Sequence, residues 1–243
     1  MKKAIIVGGS NGIGMAIALQ LNGYDRIVII DREMPDDRLR NKVCVEYEQF
    51  DLNSNDFSLF DKHNDADMLM ITAGIGRLAL FEDTTEEMIA TCMQINATAT
   101  MRIIKRFYNR LTDKKPFMCG VMVSIAGFMS SPFFSVYGAS KAALKIFIES
   151  VNVELTKKGT VNRILNVSPG SIKGTKFSGG ENDISATADL ASEIISHLEA
   201  HNDLFIPQYE EIFKGVLQRY HEDFRAEGMH SYEYKVKSGR VKG

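Results

Sequence analysis

Apolar and polar positions fall into blocks that predict strands and helices in turn. Residues 4–7 are a short apolar run that meets a glycine-rich turn, and residues 13–21 follow with helical spacing. Residues 26–30 predict a second strand ending at Asp31, and residues 43–50 a third ending at Asp51. A fourth, at 66–72, is closed by Ala73-Gly74. One long helix is expected over 85–111, a fifth strand over 117–125 and a second long helix over 137–157. A sixth strand at 161–167 stops at Ser168-Pro169-Gly170, and a helix at 188–200 leads to a short strand at 204–206.

Several of these strands are continuous apolar runs, which calls for cover on both faces of a parallel sheet. Right-handed crossovers then yield an α/β doubly wound parallel sheet, a Rossmann fold, in one domain. The domain is expected to span residues 1–230, with 231–243 a separate arm. Tyr209, Ile212, Phe213, Val216, Leu217, Tyr220 and Phe224 recur at helical spacing. Beyond them Tyr232, Tyr234 and Val236 alternate with polar residues, the pattern of an arm on a neighbouring subunit or near the substrate opening, or else of a frayed basic tail.

Composition narrows the picture. A formal net charge of -2 supplies no basic field for nucleic acid or an acidic membrane. No apolar run reaches about 18 residues, so no membrane span is expected, and the first apolar run is too short for a secretory leader. Three cysteines without CxxC spacing read as free thiols in a reducing compartment, hence a cytoplasmic protein. His197 and His201 share a helix face but have no evident third ligand, so no metal is expected.

The candidate chemistry begins at the first turn, Gly8-Gly9-Ser10-Asn11-Gly12-Ile13-Gly14. Glycines there let backbone approach a pyrophosphate at a helix N-terminus. Asp31, 17 residues beyond Gly14, is placed to accept hydrogen bonds from an adenosine ribose and to repel a 2′-phosphate, which favours NAD over NADP. Arg32 offers the opposite option, since a guanidinium binds phosphate. Tyr137 and Lys141 are four apart on a helix, where an ammonium would lower the tyrosine pKa for acid–base work, although such pairs also arise by chance.

Taken together these residues resemble the short-chain dehydrogenase/reductase family over nearly the whole chain. Gly8, Gly12 and Gly14 match its spaced-glycine motif, with Val7 where Thr is usual. Asp51-Leu52 is similar to its adenine-contacting pair, and Thr72-Ala73-Gly74 to its Asn-Ala-Gly turn without the Asn. Asn96 matches the helix Asn, and Ser124, 13 residues before Tyr137, the catalytic Ser. Pro169-Gly170 with Ile172 resembles the nicotinamide-side loop; Gly174 stands where Thr is usual and Thr175 follows it. The resemblance implies hydride exchange between nicotinamide and an alcohol or carbonyl, with Tyr137 moving the proton and Ser124 stabilising the oxyanion. It also implies that Lys141 holds the ribose and tunes Tyr137, and that Asn96 holds a relay water.

An NAD-binding sensor or scaffold without turnover is the rival reading, and an epimerase or dehydratase a weaker third. The partners expected are a small-molecule substrate and further copies of the chain, as a homodimer or homotetramer, because apolar residues surround the helix after Tyr137. Lys173, Lys176 and Arg77 suggest an anionic, hydroxylated substrate such as a sugar phosphate or nucleotide-linked sugar. Phe128, Phe133 and Phe134 suggest instead a slot for an aryl or alkyl ketone.

Overall fold

A computed structural model describes residues 1–35, 37–175, 177, 182–239 and 241. Seven parallel strands form one sheet: β1 (Lys3–Val7), β2 (Arg26–Asp31), β3 (Val45–Gln49), β4 (Met68–Ile71), β5 (Met118–Met122), β6 (Ile164–Val167) and β7 (Leu204–Phe205). Their order is β3-β2-β1-β4-β5-β6-β7. Helix α1 (Gly12–Gln20) follows β1 and the short α2 (Asp37–Arg40) follows β2. The chain therefore reverses direction across the sheet between β1 and β4, and the crevice at that switch point is where such a sheet binds ligands.

Alternation along each strand divides the core. Val28, Ile30, Leu69, Ile71 and Val121 face one layer with Ile103, Leu144, Ile148 and Leu155. Ile27, Ile29, Met68, Met70 and Leu165 face the other, against Met15, Ile17, Ile194 and Leu198. Both faces are apolar because both are covered, the condition that continuous apolar strands meet.

The single helix expected over 85–111 is instead α3 (Glu86–Met93), a π-turn at Gln94–Thr98, α4 (Ala99–Arg106) and α5 (Tyr108–Thr112). Apolar spacing cannot register the extra residue of a π-turn, and this one sits at Asn96. Helix α6 (Ser135–Lys158) runs unbroken until Gly159, whose φ of 73° lies in the left-handed region that ends helices. Several strands are shorter than their apolar runs: Val43 and Val161 are exposed, beyond the reach of their neighbours' pairing.

Helix α7 (Ala188–Glu199) covers the second face. It ends before His201, and His197 stacks on Phe205 at 4.1 Å. The C-terminal region differs most from expectation. A π-turn at Tyr209–Phe213 leads into α8 (Lys214–Glu222), and α9 (Phe224–Lys237) follows. The Asp223 carboxylate caps α9, accepting from the N–H groups of Arg225 (2.9 Å) and Ala226 (3.1 Å). Residue 231, where an arm was expected to begin, lies inside this helix. The buried positions Glu227, Gly228 and Lys235 follow helical spacing, which overrides the two-residue alternation of Tyr232, Tyr234 and Val236. Arg240, Lys242 and Gly243 lie outside the described residues.

His63, in a 3-10 turn at Ser58–His63, is 2% exposed. Burial lowers its pKa, and the Glu48 carboxylate 3.2 Å away opposes this only in part. The unfolded chain therefore takes up this proton first as pH falls below about 6.5. The stability tied to neutral His63 is present above that pH and is lost as pH falls toward and through the folded pKa. Urea midpoints compared at pH 7.5 and about 5.5 should fall in the wild type, and the fall should be smaller in His63→Gln.

Candidate active site

The cleft at the ends of β1, β4 and β5 has a volume of about 1270 Å³. Its first wall is the glycine turn. Gly8 has φ +86°, and a Cβ there would stand 2.4 Å from the backbone nitrogen of Ala73. Only glycine allows that approach. Thr72 occupies the place of the Asn that the family resemblance anticipates, and it braces the turn: its hydroxyl donates to the Gly8 carbonyl at 2.9 Å. At the start of α1 the Gly12 N–H donates to Asn182 Oδ1 at 2.8 Å. An oxygen thus already sits on that donor, and a phosphate oxygen fits the same cradle.

Asp31 ends β2 with its carboxylate accepting from the N–H groups of Ser10 (3.1 Å) and Glu33 (3.2 Å). The Ser10 hydroxyl donates to the Glu33 carbonyl at 2.6 Å, and the Arg32 guanidinium is largely exposed. Leu52 is buried beside exposed Asp51, its carbonyl accepting from Gln94 at 3.1 Å. Thr175 lies over Gly12, within 3.7 Å of a Cβ placed there. Asn11, Ile13, Gly14, Ala73, Gly74, Pro169, Gly170 and Ile172 also line the cleft. Ser10 and Asn96 stand behind the wall and support it.

Tyr137 and Lys141 lie in the first two turns of α6, on its buried face. Gly127 lets the Ser124 turn pack against α6, since a Cβ there would come within 2.7 Å of the Lys141 backbone. Lys141 Nζ donates to the Met122 carbonyl at 2.8 Å and lies 5.6 Å from the centroid of the Tyr137 ring. Asn96 Oδ1 accepts from the Ile75 N–H (2.8 Å), and its Nδ2 donates to the Ile75 carbonyl (2.8 Å) and to Ser140 (3.0 Å). Ser140 donates to the Tyr137 carbonyl at 2.7 Å, so the π-turn, the loop after β4 and α6 are tied together.

Burial dominates the protonation of this group. It pushes the Tyr137 hydroxyl up to about 12, against the pull of the Ser124 hydroxyl. It also lowers the Lys141 ammonium to about 8. The expected lowering of Tyr137 by Lys141 is not what prevails. The ammonium turns toward Met122, whereas Phe134 and Phe177 cover the tyrosine ring at 5.0 and 5.3 Å. A carboxyl or carbonyl oxygen entering here meets a tyrosine that holds its proton at neutral pH.

The sequence profile of the short chain dehydrogenase family matches residues 2–184. The chain belongs to that family. An uncharacterized oxidoreductase of Saccharomyces cerevisiae is 26% identical over 72% of the chain, and the match spans 61% of the yeast protein. A short-chain dehydrogenase from Streptomyces avermitilis superposes with a TM-score of 0.74 at 20% identity, covering 99% of both chains. One from Sphingobium yanoikuyae, solved in complex with NADPH, gives 0.73 at 23% identity, over 92% of this chain and 96% of its own. No described helix is long and apolar enough to cross a membrane.

Phe177 and Asn182 were not singled out in the sequence, and Phe213 was read only as part of a helical repeat; the fold brings Phe177 and Phe213 to the cleft and sets Asn182 against the Gly12 N–H. Lys173 lines the cleft, Arg77 is exposed beside Met88 outside it, and Lys176 lies outside the described residues. Phe133 and Phe128 point elsewhere, to Tyr232 and Lys145. Gly8→Ala should lower the melting temperature and weaken NADH binding at least ~10-fold, a loss of about 1.4 kcal/mol. Gly23→Ala has a similar φ of +80° but meets nothing within 4 Å. It should cost only the backbone strain of about 1–2 kcal/mol and leave NADH binding intact. Thermal melts and NADH titrations of both variants test this.

Proposed function

We propose that the chain reduces a carbonyl compound, or oxidises the matching alcohol, with NAD(H), and that Tyr137 moves the proton. The observation that carries this reading is the meeting of Tyr137, Ser124 and Lys141 at the floor of a cleft whose far end is a glycine cradle. Bound nicotinamide would supply or accept the hydride. The chain does the rest. The glycine turn and Asp31 hold the dinucleotide, Ser124 donates a hydrogen bond to the developing oxyanion, and Tyr137 delivers its proton to that oxygen. A tyrosine that keeps its proton suits the reducing direction. Asn96 and Lys141, whose polar atoms both approach Gly74, are the residues that would hold a relay water.

The substrate reading moves toward the aromatic option. Phe134 and Phe177 pack on Tyr137, so the group next to the reacting carbon is apolar, aryl or alkyl. Among the described residues the anionic reading retains Lys173 and loses Arg77. Ile146 and Val153, exposed on α6, support a homodimer or homotetramer, and three free thiols support a cytoplasmic setting.

Tyr137→Phe should lower turnover at least ~10²-fold while NADH still binds. Steady-state kinetics over a panel of ketones, with an NADH titration alongside, decide it. Near-normal turnover removes Tyr137 from the mechanism, and binding without turnover in the wild type favours the sensor or scaffold.

The preference for NAD rests on the charge of Asp31, against the NADPH carried by the Sphingobium structure. NADH should bind at least ~10-fold more tightly than NADPH, the ratio that about 1.4 kcal/mol supplies. Equal affinities in fluorescence titrations would mean that Arg32 outweighs Asp31.

A further inference from the structure

The turn at residues 130–134 leads directly into α6 and holds an unfavourable conformation. Phe133, a residue with a Cβ, has φ +67°. For such a residue that region costs about 1–2 kcal/mol and persists only when neighbours impose it. One restraint comes from the loop after β4, where the Ala79 N–H donates to the Phe133 carbonyl at 2.9 Å. The others come from α9. Lys235 Nζ donates to Ser131 Oγ at 2.9 Å and to the Pro132 carbonyl at 2.7 Å. The Phe133 ring, 4% exposed, lies 4.6 Å from that of Tyr232. Ser130 Oγ donates to the Phe224 carbonyl at 3.3 Å.

These contacts reach the proton donor in two short steps. The Lys235 ammonium lies 5.5 Å from the centroid of the Phe134 ring, and that ring lies 5.0 Å from Tyr137. Lys235 is only 8% exposed, so its charge is tolerated there because the turn supplies acceptors. Glu227, 9% exposed and held by Arg219 at 2.7 Å, fastens α8 to α9 behind it. The restraining residues Arg219, Phe224, Glu227, Tyr232 and Lys235 lie beyond residue 184, where the family match ends.

We propose that α9 is a working part of the active site, and that Lys235 is a positioning residue that clamps the 130–134 turn so that Phe134 packs on Tyr137. This rests on the reading of Tyr137 as the proton donor. Without the ammonium, Phe133 relaxes out of the left-handed region and Phe134 withdraws. Water then reaches Tyr137, and its hydroxyl returns toward the ordinary value near 10.

The test uses the full chain carrying Lys235→Met, which keeps the stem and removes the charge, and Lys235→Arg, which restores a donor. Each protein is titrated by tyrosinate absorbance and compared with its own Tyr137→Phe counterpart, so the difference reports Tyr137 alone and needs no turnover. NADH dissociation constants are measured in parallel. In Lys235→Met the Tyr137 signal should appear at least about one pH unit below the wild type. Lys235→Arg should recover most of that shift, and NADH affinity should stay within about twofold throughout. An unchanged Tyr137 titration in Lys235→Met overturns the clamp. So does a shift that Lys235→Arg does not reverse, or one matched by an equal loss of NADH binding, which marks general destabilisation. A reversible shift together with a fully active Tyr137→Phe leaves the clamp standing and removes the proton-donor reading instead.

Discussion

Everything in this molecule hangs on the close approach of two backbones at the switch point of the sheet. Gly8 is pinned between its neighbours: its N–H donates to the Ile30 carbonyl of β2 at 2.9 Å, and its carbonyl receives the Thr72 hydroxyl. On the same side, the N–H groups of Thr72 and Ala73 donate to the Val7 carbonyl at 2.8 and 3.1 Å. Parallel strands can crowd there only because no Cβ intervenes. The crowding turns the chain sharply into α1 and leaves the crevice open above β4 and β5, where the hydroxyls and the buried ammonium collect.

The chemistry of that crevice is set by burial more than by charge pairing. Removing Tyr137 and Lys141 from water disfavours the charged form of each, which raises one and lowers the other. The polar contacts around them act as scaffolding. Asn96 spends its amide on Ile75 and Ser140, which fixes the helix bearing Tyr137 to the loop after β4. A π-turn at Asn96 aims that amide, an irregularity of the kind that accumulates at functional sites.

Two parts of the chain build the cleft in different ways. The region before residue 184 follows the family pattern and forms the side of the glycine turn. Helices α8 and α9, together with the loop that carries Phe177, close the opposite side. The strained Phe133 lies where these parts meet, and strain of that kind survives only where several neighbours oppose its release.

Local features of the sequence were enough to determine the α/β order and the glycine turn and to set Tyr137 and Lys141 on one helix face, whereas Ser124 and Asn96 came from the family resemblance alone. Strand patterns, glycine spacing and i,i+4 pairs are short-range properties, and a buried parallel sheet leaves continuous apolar runs that can be read directly. Tertiary structure decided what depends on distant partners. It broke the 85–111 helix at Asn96, because the partners of that amide lie in the loop after β4 and on α6. It folded residues 231–237 into α9, because a helical face could bury Glu227, Gly228 and Lys235 where an extended arm could not. It brought Phe177 into the cleft, set Asn182 against the Gly12 N–H and left Arg77 outside. It also reversed the expected shift of Tyr137: desolvation depends on everything packed around a group, whereas spacing along one helix names a single neighbour.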